Sequence, residues 1–253
     1  MKRRPRERRQ ELIEYLVVRG FVSVAEICER FGVSEMTARR DLAWLKEQGL
    51  LDRVAGGATP TDMTYFRLPI KARSAQFAEE KVRIGAKAAE FVADGDHLLI
   101  DGGSTTAEVA HALHARSGSV VTNALNVASH LVAYTQWEIH VLGGQLSRTS
   151  LCFSDPESAR LLEHIRVRTF ITGAEGVDLR GGLTVSDVRE AHSKRLMMQC
   201  ATRTIVVADH SKLGRTTLAA FADLSEIECL ITGVEADPAV VESLRTVVEV
   251  MQV

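Results

Sequence analysis

The sequence predicts an α/β protein in two parts. A small N-terminal winged helix-turn-helix domain (residues 1–58) precedes a larger domain built on an open, mostly parallel α/β sheet (residues 78–253). Three observations predict it. The N-terminal residues show short helical stripes separated by glycines. From about His97 onward, short apolar runs alternate with stretches at helical spacing. Between them, residues 59–77 contain two prolines and no sustained periodicity, which reads as a linker.

In the head, Leu12, Ile13, Leu16 and Val17 recur at helical spacing, and Gly20 stops that helix. Ser23 is placed to cap a second helix carrying Ala25, Ile27 and Cys28, and Gly32 marks the turn that follows. Ser34 caps a third helix with Glu35 in its first turn, a buried stripe of Ala38, Leu42 and Leu45, and Gly49 at its end. The segment LLDRVAGGA reads as a hairpin around Gly56-Gly57, a wing carrying Arg53. Three helices, a glycine-marked turn and a wing in this order make a DNA-binding head. Its third helix enters the major groove with its first turns. The expected DNA contacts are Ser34, Glu35, Met36, Thr37, Arg39 and Arg40, with Arg53 from the wing. Arginine suits this place because its guanidinium forks onto guanine O6 and N7 or onto a phosphate. Asp41 is expected to hold a guanidinium in position beside Arg40.

Charge supports the division. The chain carries a formal net charge of −2, but the count to Pro60 is about +3 and beyond it about −5. Lys2, Arg3, Arg4, Arg6, Arg8 and Arg9 crowd the N-terminus, opposed there by Glu7, so the head suits a polyanion. Cys28, Cys152, Cys200 and Cys229 are scattered without zinc-ligand spacing, as in reduced cysteines of a cytoplasmic protein. No apolar run is long enough for a membrane span and no signal peptide is recognisable. His111 and His114 are three apart on one helix, but no third ligand is placed by sequence, so neither metal nor cofactor is expected.

The body reads as strands His97–Ile100, Ser119–Val121, Ile139–Leu142, Thr169–Thr172, Thr204–Ala208 and Cys229–Thr232, separated by helices. Ligands of such folds sit beyond the carboxyl ends of the strands. Polar residues fall there: Asp101, Gly103, Ser104 and Thr105 after the first strand, Asn123 after the second, Glu175 after the fourth, and Asp209 and Lys212 after the fifth. The backbone of DGGSTT, opening a helix, suits phosphate oxygens. No lysine follows the glycines as in a nucleoside-triphosphate loop. Asp101, Glu175 and Asp209 are acceptors suited to sugar hydroxyls, and Lys212 supplies positive charge, so a phosphorylated sugar or polyol fits best.

The stretch VSEMTARRDLAWLKEQGLLDRVAGGA resembles the N-terminal signature of DeoR-family transcriptional regulators. Ser34, Thr37, Arg39, Arg40, Asp41, Arg53, Gly56 and Gly57 stand at its signature positions. DGGST, TNAL, LGGQLSR, FITGAEGVD, GLTVSDVREAHSK and ADHSKLG resemble the family's C-terminal sensor domain in order. Ala38, Ala55, Asp155 and Val167 depart from the family pattern, the last two near the expected ligand mouth. The resemblance implies a repressor of a sugar or polyol catabolic operon, binding operator DNA as a homodimer or homotetramer and released by a phosphorylated effector. It adds Glu190 to the expected effector contacts. The sensor domain's kinship with ribose-5-phosphate isomerase makes a sugar-phosphate isomerase the alternative, with Glu190 as base and Lys212 as electrophile. Against it, Thr172 stands where the isomerase has an acid.

Overall fold

The computed structural model describes residues 4–61, 68–114, 116–154 and 156–253. It divides into two compact units, Met1–Gln76 and Phe77–Val253.

In the first unit α1 (Pro5–Arg19) has proline at its start and Gly20 as its left-handed cap. After β1 (Val22–Ser23), α2 (Val24–Phe31) is held by a capping box. The Ser23 Oγ accepts from the Glu26 N–H at 3.2 Å, and the Glu26 carboxylate accepts from the Ser23 N–H at 2.8 Å. Gly32, at φ 61°, makes the turn into α3 (Glu35–Glu47), a conformation that costs a side-chain-bearing residue strain. Strands β2 (Leu51–Val54) and β3 (Gly57–Pro60) form the wing hairpin. The strand β1 joins it through Val22 opposite Ala58, giving an antiparallel order β1-β3-β2. A two-residue strand leaves no periodicity in the sequence, so β1 was not expected. Leu12, Leu16, Ile27, Ala38, Leu42 and Leu45 are fully buried in this unit's core.

Part of the expected linker is structured. The strand β3 reaches Pro60, Leu68 is buried in the head's core, and α4 (Ile70–Ala75) packs Ala72 against that core. Residues 62–67 of the linker, and Asp155, lie outside the described residues.

The second unit opens with α5 (Ala78–Ala89) and continues β4 (Asp96–Ile100), α6 (Ser104–Ala112), β5 (Gly118–Thr122), α7 (Leu125–Tyr134) and β6 (Glu138–Val141). A small antiparallel pair, β7 (Gln145–Leu146) and β8 (Phe153–Ser154), leads to α8 (Pro156–Glu163) and β9 (Val167–Thr172). Strands β10 (Gly176–Asp178) and β11 (Gly182–Val185), α9 (Val188–Gln199), β12 (Ala201–Val207), β13 (Ala219–Ala222), β14 (Cys229–Thr232), α10 (Pro238–Arg245) and β15 (Glu249–Gln252) complete it. Seven strands form a wholly parallel sheet in the order β15-β14-β12-β9-β4-β5-β6. Both faces are covered, which is why Leu98, Leu99 and Ile100 run on without alternation and are all buried. Ile84, Leu98, Val109 and Leu131 belong to one core; Leu99, Phe170, Met197 and Leu244 belong to the other. Beyond the six expected strands, β15 extends the sheet and β10-β11-β13 forms an antiparallel arm.

Strand β4 is flanked by β5 on one side and by β9 on the other. The strand order therefore reverses there, and a crevice opens at the carboxyl ends of β4 and β9. Val167 corrects one expectation. It begins β9 at the opposite end from Thr172 and is buried in the core, so it is not at the mouth.

Candidate functional site

The head presents α3 outward. Its buried stripe is Ala38, Asp41, Leu42 and Leu45. At about 100° per residue, Met36, Arg40, Ala43 and Glu47 fall on the opposite side. Arg39 is tied to Glu35 one turn earlier, its Nε donating to Oε1 at 2.8 Å. The Ser34 and Thr37 hydroxyls share a hydrogen bond of 3.0 Å within the helix cap. Arg40 is exposed and forms no ion pair among the described residues, so it is free to meet an external partner. Arg53 lies half-buried on β2, with its Nε unpartnered among the described residues.

Asp41 does not hold Arg40. Its carboxylate, 2% exposed, accepts from Arg8 Nε at 2.6 Å and from Arg9 Nε at 2.7 Å, both on α1. The Arg9 guanidinium also lies over the Trp44 ring, 4.5 Å from its centroid. Two of the N-terminal arginines therefore brace α3 from within. Arg4 and Arg6 are exposed, and Lys2 and Arg3 lie outside the described residues.

In the body a cavity of about 120 Å³ lies at the crevice, lined by Asp101, Asn123, Cys152, Phe153, Asp187, Arg189, Glu190, Lys194 and four serines, 147, 150, 154 and 193. Asp101 follows β4 directly and is fixed by its N–H donating to the Ile171 carbonyl at 3.1 Å. Its carboxylate accepts from Thr172 Oγ1 at 3.0 Å and from the ammonium of Lys194, which α9 sends back to the sheet. Lys194 also donates to Thr172 Oγ1 at 3.1 Å and to the Gly173 carbonyl at 3.0 Å. Three donors thus meet three acceptors. Burial is the largest influence on Lys194 and opposes its charge, but Asp101 and Glu190 outweigh it and the pKa is raised. The lysine is a fixed cation, engaged on all its N–H groups.

Beside this pair, Asn123 Oδ1 is buried and has no partner among the described residues, an acceptor that a ligand hydroxyl would satisfy. Cys152 packs so closely on Gly102 that a Cβ there would lie 2.0 Å from its Sγ. Burial, and then the charges of Asp101 and Glu190, push the Cys152 thiol up to about 12, so it stays protonated and is no nucleophile.

A second polar cluster lies where β12 ends. Asp209 is buried, accepts from Ser211 Oγ, and has Lys81 Nζ 3.6 Å from its carboxylate. Burial pushes the Asp209 carboxyl up, but Lys212 and Lys81 overcome it and the pKa is lowered. Glu80, next to Lys81 on α5, accepts from the His210 N–H at 2.7 Å and bonds its Nδ1 at 2.8 Å. Gly103, Ser104 and Thr105 open α6 without a side-chain cap, and Thr106 Oγ1 is buried there without a partner among the described residues.

The nine expected effector residues therefore separate. Asp101, Asn123 and Glu190 line the cavity; Asp209 and Lys212 belong to the charged cluster; Gly103, Ser104 and Thr105 form the helix start. Glu175 is not among the lining residues, and its Oε2 accepts from the Ser186 N–H at 2.6 Å. The cation facing Glu190 is Lys194, 3.5 Å away, rather than the expected Lys212. Sequence reasoning missed Lys194, Lys81, Cys152 and the serines. Only Lys194 had a signal, its four-residue spacing from Glu190 on one helix. His111 bonds Glu108 at 2.9 Å, and no group of three or more candidate metal ligands occurs among the described residues.

Comparison with known proteins agrees in both parts. Residues 8–64 match the family described as DeoR-like helix-turn-helix domain, and residues 76–234 that described as DeoR C terminal sensor domain. The glycerol-3-phosphate regulon repressor of Escherichia coli (strain K12) is 35% identical over 235 residues, 92% of each chain. The HTH-type transcriptional regulator IolR of Bacillus subtilis (strain 168) is 32% identical over 229 residues, 90% of this chain and 91% of the relative. Among solved structures, ribose 5 phosphate isomerase A from Neisseria gonorrhoeae is similar over 52% of each chain, at 18% identity and a TM-score of 0.39, too distant to bear on activity. Matched in head and body and along almost the whole of two regulatory relatives, this chain belongs to the DeoR family of transcriptional regulators.

Proposed function

We propose that the protein is a cytoplasmic repressor of a sugar or polyol operon, released from operator DNA by a phosphorylated small metabolite. The observation that carries this reading is the joining, in one chain, of a matched helix-turn-helix head to a matched sensor domain. The relative named as the glycerol-3-phosphate regulon repressor supports the operon class. One head of three helices covers little DNA, so a homodimer or homotetramer binds the operator.

For the effector, the uncapped start of α6 after β4, and Lys81 and Lys212 buried beyond the end of β12, two strands along the sheet, suit a phosphate. The orphaned Asn123 Oδ1 and the serine hydroxyls of the cavity suit a polyol chain. Catalysis is disfavoured by chemistry. Isomerisation needs a carboxylate free to take a carbon-bound proton and a polarising cation. Here Asp101 is neutralised by Lys194, that lysine has no donor left, and Glu190 is 41% exposed.

The test is a titration of the protein on DNA from upstream of its own gene, at fixed salt, with a panel of sugar and polyol phosphates. One compound should dissociate a specific complex and emerge unchanged. Turnover of a compound without any specific DNA complex overturns the reading.

A further inference from the structure

The apex of α3 carries two long side chains in its first two turns, and the arginine accounts for only one of them. Met36 is 72% exposed, one helical turn before Arg40 and opposite the buried stripe. The groups flanking it are internally satisfied: Glu35 with Arg39 on one side, Ser34 with Thr37 on the other. That leaves an apolar, flexible thioether at the tip of a helix that otherwise offers charge.

We propose that Met36 is a specificity-determining residue that packs on the 5-methyl group of a thymine in the operator's major groove. The inference rests on the operator-binding reading of the head. Thymine alone among the four bases presents a methyl group there, and an apolar side chain reads it by burial rather than by hydrogen bonds. Methionine suits the task because its unbranched, polarisable chain adapts to the groove. Residues four apart on a helix are about 5–6 Å apart at Cβ, and stacked base pairs rise about 3.4 Å. Where Arg40 takes a guanine, the thymine therefore lies within one or two base pairs of it. Cytosine, a pyrimidine with no 5-methyl group and an amino group in place of the 4-oxygen, gives this contact nothing to pack on.

The full chain is first used to select its site from a random-sequence duplex pool. Each thymine of the recovered half-site is then replaced by uracil, which removes the methyl and keeps every base-edge hydrogen bond. At one thymine beside a guanine, uracil should weaken the wild-type protein about fourfold, the loss of one methyl-sized contact. Met36→Ala should bind the thymine site about fourfold more weakly and be indifferent to uracil, while Arg40→Ala keeps the uracil penalty. Indifference of the wild type to uracil at every position, or an undiminished penalty in Met36→Ala, overturns the thymine contact. If no sequence is enriched at all, the operator-binding reading fails and this proposal with it.

Discussion

Arg39 and Arg40 are adjacent in sequence, yet only one is available. Glu35 holds Arg39 on the helix surface, whereas Arg40 stands alone at its apex. Arg40→Ala should weaken operator binding by roughly 1–3 kcal/mol and leave effector binding intact. Arg39→Ala should cost less, because Arg39 is already engaged by Glu35 and its loss removes no unpaired cation. A filter-binding series on one operator at one salt concentration ranks the two. In the body, Lys194 and Asp101 form a buried pair, and removing one partner strands the other. Lys194→Met should destabilise the sensor domain by about 3–5 kcal/mol, and adding Asp101→Leu should recover much of that loss, as urea melts would show. Their pH dependence has a definite sign. Lys194 has a raised pKa, so its contribution is full below the ordinary lysine value and is lost as pH rises through the raised one. Asp209 has a lowered pKa, so its contribution is present above the ordinary carboxylate value and is lost as pH falls through the depressed one. Both contributions are therefore present across the neutral range.

Among the elements, the capped helices were the most legible. Ser23 and Ser34 announce α2 and α3 in the sequence because a cap is local chemistry. Gly32→Ala tests that logic. Nothing lies within 4 Å of the added Cβ, so the cost should be conformational only, about 1–2 kcal/mol in a melt of the head. The arm β10-β11-β13 and the short β1 were illegible for a different reason: strands of two to four residues are defined by distant partners, such as Val22 by Ala58. The helices α6 and α7 bring His111 and His130 together, ring centroids 4.1 Å apart. The hydrogen bond to Glu108 raises the pKa of His111, while burial and then the charge of His111 lower that of His130. An NMR titration should show His111 protonating first as pH falls, and Glu108→Gln should bring the two closer.

At the scale of the whole molecule, the two-part design was readable from charge, punctuation and strand alternation, because each reports on a whole segment. Of the cavity's lining, the sheet rule reached the strand ends, and Glu190 on α9 came from the family resemblance. Asp101 and Asn123 follow β4 and β5 directly, so the sheet rule found them. Lys194 comes from a helix 93 residues from Asp101, and no local pattern says that its ammonium turns back to the sheet. Lys212 drew attention because it too follows a strand, yet the fold gives it to Asp209 in a separate cluster.

The missing side chain at Gly102 has a consequence for heredity. Alanine there drives a methyl into the Cys152 sulfur and displaces the wall of the cavity, while the operator-reading face is untouched. A screen for strains that keep the controlled genes silent on their own growth substrate should return Gly102 alleles. In a cell carrying both gene copies, the proposed dimers or tetramers would mix the two chains and stay on the operator, and the trait would be dominant.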